Sequence, residues 1–188
     1  MPPVPRSGDS PRRSLRRDGG RAARTRGLLL GALLALAHPA PAAEAFPVPA
    51  PGPTDTCPVC GMFVSKYPEW TATVVYRDGV AAHFDGPKDL FKYLFDLPRY
   101  APGRQREDVT LLAVTEYYGL TRIDARAAWF VTGSDVIGPM GHELVPLASA
   151  EEAQEFLADH HGQRVLRFEE VTPQVIEALD SGQPATER

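Results

Sequence analysis

Residues 70–94 read WTATVVYRDGVAAHFDGPKDLFKYL and predict a β-hairpin that runs directly into a helix. The segment 70–76 is aromatic and β-branched, Asp78-Gly79 is a strong two-residue hairpin turn, and 80–84 supplies the returning strand. A helix is then expected to begin near Pro87, because proline is favoured in the first helical turn. Its apolar face comprises Leu90, Phe91, Leu94 and Phe95.

The rest of the chain repeats this order of elements. In sequence order, the patterns predict a strand at 109–118, a strand at 127–131, a glycine-rich turn at 138–141, a strand at 143–147, a helix after the capping box of Ser149 and Glu152, a strand at 164–171 and a short helix after Thr172-Pro173. We therefore predict an α+β fold made of two tandem ββαβ units packed together, at 57–124 and 125–182. A ligand site that draws on both units would lie at their junction.

The N-terminal 45 residues have the pattern of an export signal. Eight arginines between Arg6 and Arg26 precede the apolar run Gly27–Ala37, and a small-residue stretch ends at Ala45. The apolar run is about half of the ~20 residues that a membrane-spanning helix needs. We expect a signal peptide at 1–45, export to the periplasm by the Sec or the twin-arginine route, and no stable membrane span after cleavage. A proline-rich tether at 46–56 and a short tail at 183–188 flank the folded part.

The charge balance excludes two classes of partner. The full chain carries a formal net charge of -4. Removal of residues 1–45 leaves 12 basic and 21 acidic residues, or about -9. A chain with so few basic residues is not expected to bind nucleic acid or an anionic membrane surface.

Sulfur is concentrated in two short motifs. Both cysteines lie in CPVCGM, which places Cys57 and Cys60 beside Met62, and the remaining methionine after the initiator is Met140 in PMGH. Thiolate and thioether sulfur are the donors that select copper(I) over harder cations. His142, two residues after Met140, is a further candidate ligand.

The CxxC motif alone is compatible with four kinds of site. It could form a small-loop disulfide, a thiol-disulfide exchange centre, half of a zinc site with two of the five histidines, or a soft-metal site. Exchange centres usually place the first cysteine at a helix N-terminus, whereas Cys57 follows a proline tether and Cys60 leads into a segment without helical periodicity. A structural zinc site needs four ligands, and the sequence has no second CxxC.

These motifs together resemble the NosL family of accessory proteins for nitrous oxide reductase maturation. The resemblance extends over nearly all of the chain after residue 55. It rests on Cys60-Gly61-Met62 after the tether, the block 80–94 with Phe84-Asp85-Gly86, Gly138-Pro139-Met140-Gly141, the segment 143–146 and the helix end at 153–162.

The resemblance implies a periplasmic copper(I) chaperone, not an enzyme. Such a protein would help assemble the copper-sulfide centre of nitrous oxide reductase and work with an ABC-type maturation complex in the membrane. By match to the motifs, Cys60, Met62 and Met140 would be copper ligands or close neighbours.

The resemblance leaves the role of the first cysteine open. Cys57 could be a second thiolate or the disulfide partner of Cys60. Many family members are lipoproteins, whereas this signal lacks a lipid-accepting cysteine. The alternative is a periplasmic thiol-disulfide oxidoreductase that uses Cys57 and Cys60.

Overall fold

The structure, a computed structural model, describes residues 47–182. The predicted signal peptide and the C-terminal tail lie outside these residues. In chain order the elements are β1 (Ala72–Tyr76), β2 (Ala81–Phe84), α1 (Pro87–Phe95), α2 (Leu97–Tyr100), β3 (Val109–Thr115), β4 (Arg122–Asp124), β5 (Trp129–Thr132), β6 (Ile137–Gly138), β7 (Gly141–His142), β8 (Val145–Leu147), α3 (Ala150–Asp159), β9 (Arg164–Arg167) and α4 (Pro173–Ser181).

The strands form three antiparallel sheets, and the α+β class is confirmed. A four-stranded sheet has the order β2-β1-β3-β4, a three-stranded sheet has the order β8-β5-β9, and β6 pairs with β7 alone. In each of the two larger sheets the strand that comes first in the chain has neighbours on both sides. The repeat of two ββαβ units stays a prediction, since β4 extends the first sheet and the β6–β7 hairpin interrupts the second half.

The hairpin predicted at 70–84 is present as β1 and β2. Their register places Ala72 opposite Phe84 and Val75 opposite Ala81. Gly79 in the turn has a φ of 83°, a left-handed conformation that glycine adopts without steric cost. The Asp78 side chain accepts a hydrogen bond from the Val80 N–H at 3.1 Å, which fixes the turn.

The start of α1 depends on a carboxylate from the second half of the chain. Gly86 is the N-cap residue and has no side chain to cap the helix. Instead, the buried Glu143 Oε1 accepts the Lys88 N–H at 2.6 Å and the Leu144 N–H at 2.9 Å. A Cβ on Gly86 would collide with this carboxylate. The glycine therefore allows a distant acid to satisfy a helix N–H that has no partner within the helix.

The two halves share one hydrophobic core. The described residues 47–182 belong to one compact unit. The main core takes buried side chains from β1, β3 and α1, and also from β5, β9 and α4; its largest members include Phe84, Leu90, Phe91, Phe130, Leu144, Leu166 and Ile176. A smaller cluster of Val131, Val145, Leu147, Ala153 and Phe156 fills the space under α3. The shared core fixes α4 beside α1.

Two predicted strands are shorter in the structure than the sequence suggests. In each case a glutamate side chain accepts a backbone N–H and ends the strand in a turn. The strand predicted at 109–118 ends at Thr115, since the buried Glu116 carboxylate accepts the Tyr118 and Thr121 N–H groups at 3.0 and 3.3 Å. The strand predicted at 164–171 ends as β9 at Arg167, whose N–H donates to Glu170 Oε2 at 2.6 Å across a short 3₁₀ turn.

Two further elements differ from the sequence-based expectation. The glycine-rich turn predicted at 138–141 belongs to a small hairpin, in which β6 and β7 pair on either side of Pro139 and Met140. The short helix α2 follows α1 after Asp96, whose side chain accepts the Arg99 N–H. Within residues 47–182 no helix has the length and apolar character to cross a membrane.

The burial of Glu143 makes stability depend on pH. Burial raises the pKa of this carboxyl to about 8 from an ordinary 4.5. Between these two values the unfolded chain is ionised and the folded chain keeps its proton, so the folded state binds more protons and the free energy of unfolding falls as pH rises. Each unit of pKa difference corresponds to ~1.4 kcal/mol. We predict that Glu143→Gln, measured by chemical denaturation at pH 5 and pH 8, loses less stability over this interval than the wild type. An equal loss in both proteins would contradict the assignment.

Candidate metal centre

A short closed loop presents both cysteines. An antiparallel bridge between Thr56 and Phe63 closes its base. Inside it, the Cys57 N–H donates to the Met62 carbonyl at 2.9 Å and the Gly61 N–H donates to the Cys57 carbonyl at 2.8 Å. Gly61 has a φ of 80°, which a residue with a side chain rarely adopts. Both thiols are free, so the structure contains no disulfide at this loop.

Two buried aspartates of the α1 region face this loop. Asp85 lies immediately before the N-cap residue of α1, and Asp89 lies in the first turn of the helix. Asp85 is outside the helix, but each of the two carboxylates contacts a thiol of the loop. The β2–α1 junction therefore supplies a pair of acids to the cysteine loop.

The cysteines and aspartates form one compact cluster. Cys57 Sγ donates to Asp89 Oδ2 at 3.3 Å, and Cys60 Sγ donates to Asp85 Oδ1 at 3.1 Å. One ligand atom from each of the four residues lies within 4.8 Å of the others. Ligand atoms bound to a single ion at ~2.0–2.3 Å can be no more than ~4.6 Å apart. The four residues thus form a possible metal site that needs little rearrangement.

The thiols are protonated at neutral pH. Cys57 is 1% exposed, and burial is the main cause that raises its thiol pKa far above the ordinary value, with Asp89 adding to the effect. Burial also raises the pKa of Cys60 to about 12, and the hydrogen bond to Asp85 contributes. Since the thiolate is the reactive form, these cysteines are poor nucleophiles. This environment disfavours thiol-disulfide exchange.

Two carboxylate oxygens of the cluster have unused bonding capacity. Asp85 Oδ2 and Asp89 Oδ1 are buried, and neither has a hydrogen-bond partner among the described residues. The nearest cation to the second is Lys92 Nζ at 3.6 Å, which is beyond a good hydrogen bond. Buried polar atoms are normally hydrogen-bonded, so two oxygens without hydrogen bonds beside two thiols are what a cation-binding site would offer.

An open cavity of about 740 Å³ connects the cluster to solvent. Its lining includes Cys60 and Asp89 from the cluster, and Met140 from the β6–β7 turn. The other lining residues are Val59, Lys92, Phe95, Asp96, Tyr100, Pro173, Ile176, Glu177 and Asp180. The cavity therefore lies between the cysteine loop, α1 and α4, with sulfur from both motifs on its wall.

The residues predicted from the sequence occupy different surroundings. Cys57 and Cys60 are in the cluster, and Met140 is 41% exposed on the cavity wall. Met62 is half-buried on the cysteine loop, and His142 is half-buried on β7 close to Gly182. Neither of these two is among the described residues that line the cavity. The structure brings Met140 and Cys60 to one cavity, and the ligand set itself stays a prediction.

Asp85 and Asp89 are the site residues that sequence reasoning missed. The sequence places them on either side of the predicted helix start and directly after the predicted hairpin. Acidic residues are common in the first helical turn because they interact favourably with the helix dipole, so the spacing alone does not indicate a site. Only the contact with the cysteine loop distinguishes them.

Comparison with known proteins identifies the family. The NosL family profile matches residues 47–176. The chain belongs to the NosL family. It is 30% identical over 141 residues to a copper-binding lipoprotein NosL from Stutzerimonas stutzeri, an alignment that covers 69% of this chain and 68% of that protein.

A solved NosL structure has a similar fold. The crystal structure of the copper chaperone NosL from Shewanella denitrificans superposes with a TM-score of 0.56 and 26% identity, covering 68% of this chain and 96% of that one. The family predicted from the CGM and GPMG motifs is thus confirmed. These two NosL relatives are named for copper binding and chaperone activity, not for a catalysed reaction.

The thiol environment predicts an unusual alkylation profile. In reduced wild-type protein, the rate of iodoacetamide labelling at Cys60 should keep rising well above pH 9, because burial and Asp85 both raise its pKa. Asp85→Asn removes one of these causes, so the labelling curve should shift to lower pH. Asp55→Asn, outside the cluster, is the control and should leave the curve unchanged. A wild-type midpoint near the ordinary ~8.5 would contradict the burial of the thiol. Mass spectrometry of labelled peptides measures the rates.

Proposed function

We propose that this protein is a copper(I) chaperone of the periplasm that helps assemble the copper-sulfide centre of nitrous oxide reductase. The observation that carries the proposal is the cluster of two free thiols and two carboxylates beside a cavity that Met140 also lines. The copper-binding names of the NosL relatives support the choice of metal.

Sulfur chemistry favours copper(I) as the cargo. Thiolates of Cys57 and Cys60 and the thioether of Met140 are soft donors that suit copper(I). A structural zinc site is usually closed by four protein ligands, whereas Cys60 and Met140 line an open cavity. We assign the tight binding to Cys60, with Cys57 as the second thiolate and Met140 as the thioether. Met62 and His142 remain candidate ligands from the sequence.

The aspartates have a different role in this scheme. In the metal-free protein each thiol donates its hydrogen to a carboxylate, Cys57 to Asp89 and Cys60 to Asp85. Thiols must lose their protons before they bind a metal. Asp85 and Asp89 are in contact with these protons, so they are positioned to accept them as copper(I) enters. Return of the protons would favour release to a partner.

The shape of the site suits transfer. Cys57 lies deep in the core, while Cys60 and Met140 are reached from the cavity. A thiolate of a receiving protein could therefore enter the cavity and share the copper ion before Cys60 releases it. The NosL resemblance implies nitrous oxide reductase or its ABC-type maturation complex as that receiving partner. Export to the periplasm follows from the signal predicted at 1–45 and agrees with the lipoprotein description of the relative.

An anaerobic titration with a competing chelator tests the binding site. The reduced wild type should bind one copper(I) ion, and Cys60→Ala should abolish tight binding. Met140→Leu keeps the side-chain volume but removes the thioether, so it should weaken binding by ~1 to 3 kcal/mol, comparable to a strong hydrogen bond, at little cost to folding. Met62→Leu is the comparison variant at the other candidate thioether and should have the smaller effect, since Met62 does not line the cavity. Affinity that is indifferent to both methionine changes would overturn the proposed ligand set.

A cellular assay tests delivery. A bacterium that makes nitrous oxide reductase but lacks its own NosL-family protein should consume nitrous oxide slowly under copper limitation. Expression of the wild-type chain should restore consumption, and Cys60→Ala should not. Added copper should reduce the difference between the two strains. Equal restoration by Cys60→Ala, at equal protein levels, would show that delivery does not use this cysteine.

A further inference from the structure

Lys88 is an unusual residue in the first turn of α1. Its side chain is 1% exposed, and lysines are rarely buried unless their charge is paired. Its Nζ lies 3.2 Å from Asp180 Oδ1 and donates a hydrogen bond to the Met140 carbonyl at 2.9 Å. Its backbone N–H donates to Glu143 at 2.6 Å. One residue thus joins α1, the β6–β7 turn and α4.

The contact with Met140 is the informative one. Met140 is in the turn between β6 and β7, which pair only through Ile137 with His142 and Gly138 with Gly141. So short a hairpin cannot fix its own turn firmly. A charged donor on the Met140 carbonyl contributes more than a neutral hydrogen bond and holds the residue from the buried side.

The same helical turn also contacts the cysteine loop. Asp89, the residue after Lys88, accepts the Cys57 thiol hydrogen, and Asp85 accepts that of Cys60. The first turn of α1 is therefore a common reference for both sulfur motifs. The Lys88 ammonium thus links Met140 to the turn whose Asp89 contacts Cys57.

We propose that Lys88 is a positioning residue that holds Met140 at the wall of the cavity that Cys60 also lines. This role rests on the proposed copper(I) function, because the position of Met140 matters only if its thioether binds the metal. Asp180 is the counter-ion that keeps the ammonium oriented, and the Glu143 carboxylate holds the backbone of Lys88 in place. Met140 needs no direct bond to the cysteine loop in this arrangement.

The chain provides a matched control for a merely structural role. Lys92 lies one turn further along α1 and also pairs with Asp180, at 2.8 Å. No contact links its ammonium to the Met140 carbonyl among the hydrogen bonds of the described residues. If the lysines only fastened α1 to α4, replacement of either would have a similar effect. If Lys88 positions Met140, only its replacement should release the turn.

Hydrogen exchange in the copper-free protein tests the proposal directly. Lys88→Leu removes the ammonium and, unlike a change to methionine, adds no thioether near the site. The amides of residues 137–142 should exchange about tenfold faster than in the wild type, as expected for loss of one charge-assisted hydrogen bond, with Lys92→Leu unchanged. Unchanged exchange in Lys88→Leu, or equal acceleration in Lys92→Leu, overturns the proposal. If Lys88→Leu does not fold, Lys88→Gln takes its place, because glutamine keeps a polar end but is too short to reach the Met140 carbonyl. The same exchange rates of residues 137–142 then decide the outcome.

A copper(I) titration separates failure of this proposal from failure of the proposed function. In the wild type, Met140→Leu should weaken binding; in Lys88→Leu, the same change should have no further effect. The chain has three methionines, so methyl-labelled methionine gives a resolvable signal for Met140, which should shift on copper addition except in Lys88→Leu. A full Met140→Leu loss in folded Lys88→Leu overturns the positioning role. If Met140→Leu has no effect even in the wild type, the ligand assignment is wrong, and the exchange result alone decides whether Lys88 holds the turn.

Discussion

The N-terminal turn of α1 depends on a carboxylate that comes from a distant part of the chain. Glu143 accepts the Lys88 N–H and is fully buried, so the start of this helix is complete only when the second half of the chain has folded against it. Gly86 leaves the space that the carboxylate needs. Cys57, Cys60 and Met140 contact this turn or the residue before it. Cys57 of the cysteine loop donates to Asp89, and the Lys88 ammonium donates to the Met140 carbonyl.

Burial of the cluster of two thiols and two carboxylates opposes stability. Burial raises the pKa values of both thiols, the neighbouring carboxylates add to this effect, and two carboxylate oxygens are left without a hydrogen bond. An unpaired buried polar atom costs roughly 1–3 kcal/mol. A cation bound by these atoms would offset this cost. The same burial makes the thiols unreactive, which protects them from side reactions.

The sequence predicts the hairpins, the helices with clear caps, and the two sulfur motifs, because these features depend on local patterns. Asp78-Gly79 and Thr172-Pro173 are such signals, and β1–β2 and α4 follow them. The strand ends set by Glu116 and Glu170 were missed, because a side chain that folds back onto its own backbone has no distinctive pattern. The roles of Asp85, Asp89 and Lys88 were missed for a related reason. Charged residues in a first helical turn usually face solvent, and only the tertiary packing of this chain buries them.

The cavity wall combines residues from both ends of the folded region. Val59 and Cys60 belong to its beginning, while Pro173, Ile176 and Asp180 belong to the last helix. During synthesis the cysteines emerge early and remain without their cavity until α4 has followed. The cavity is therefore complete only when the final helix packs against α1. Formation of the candidate site is in this way coupled to completion of the folded region.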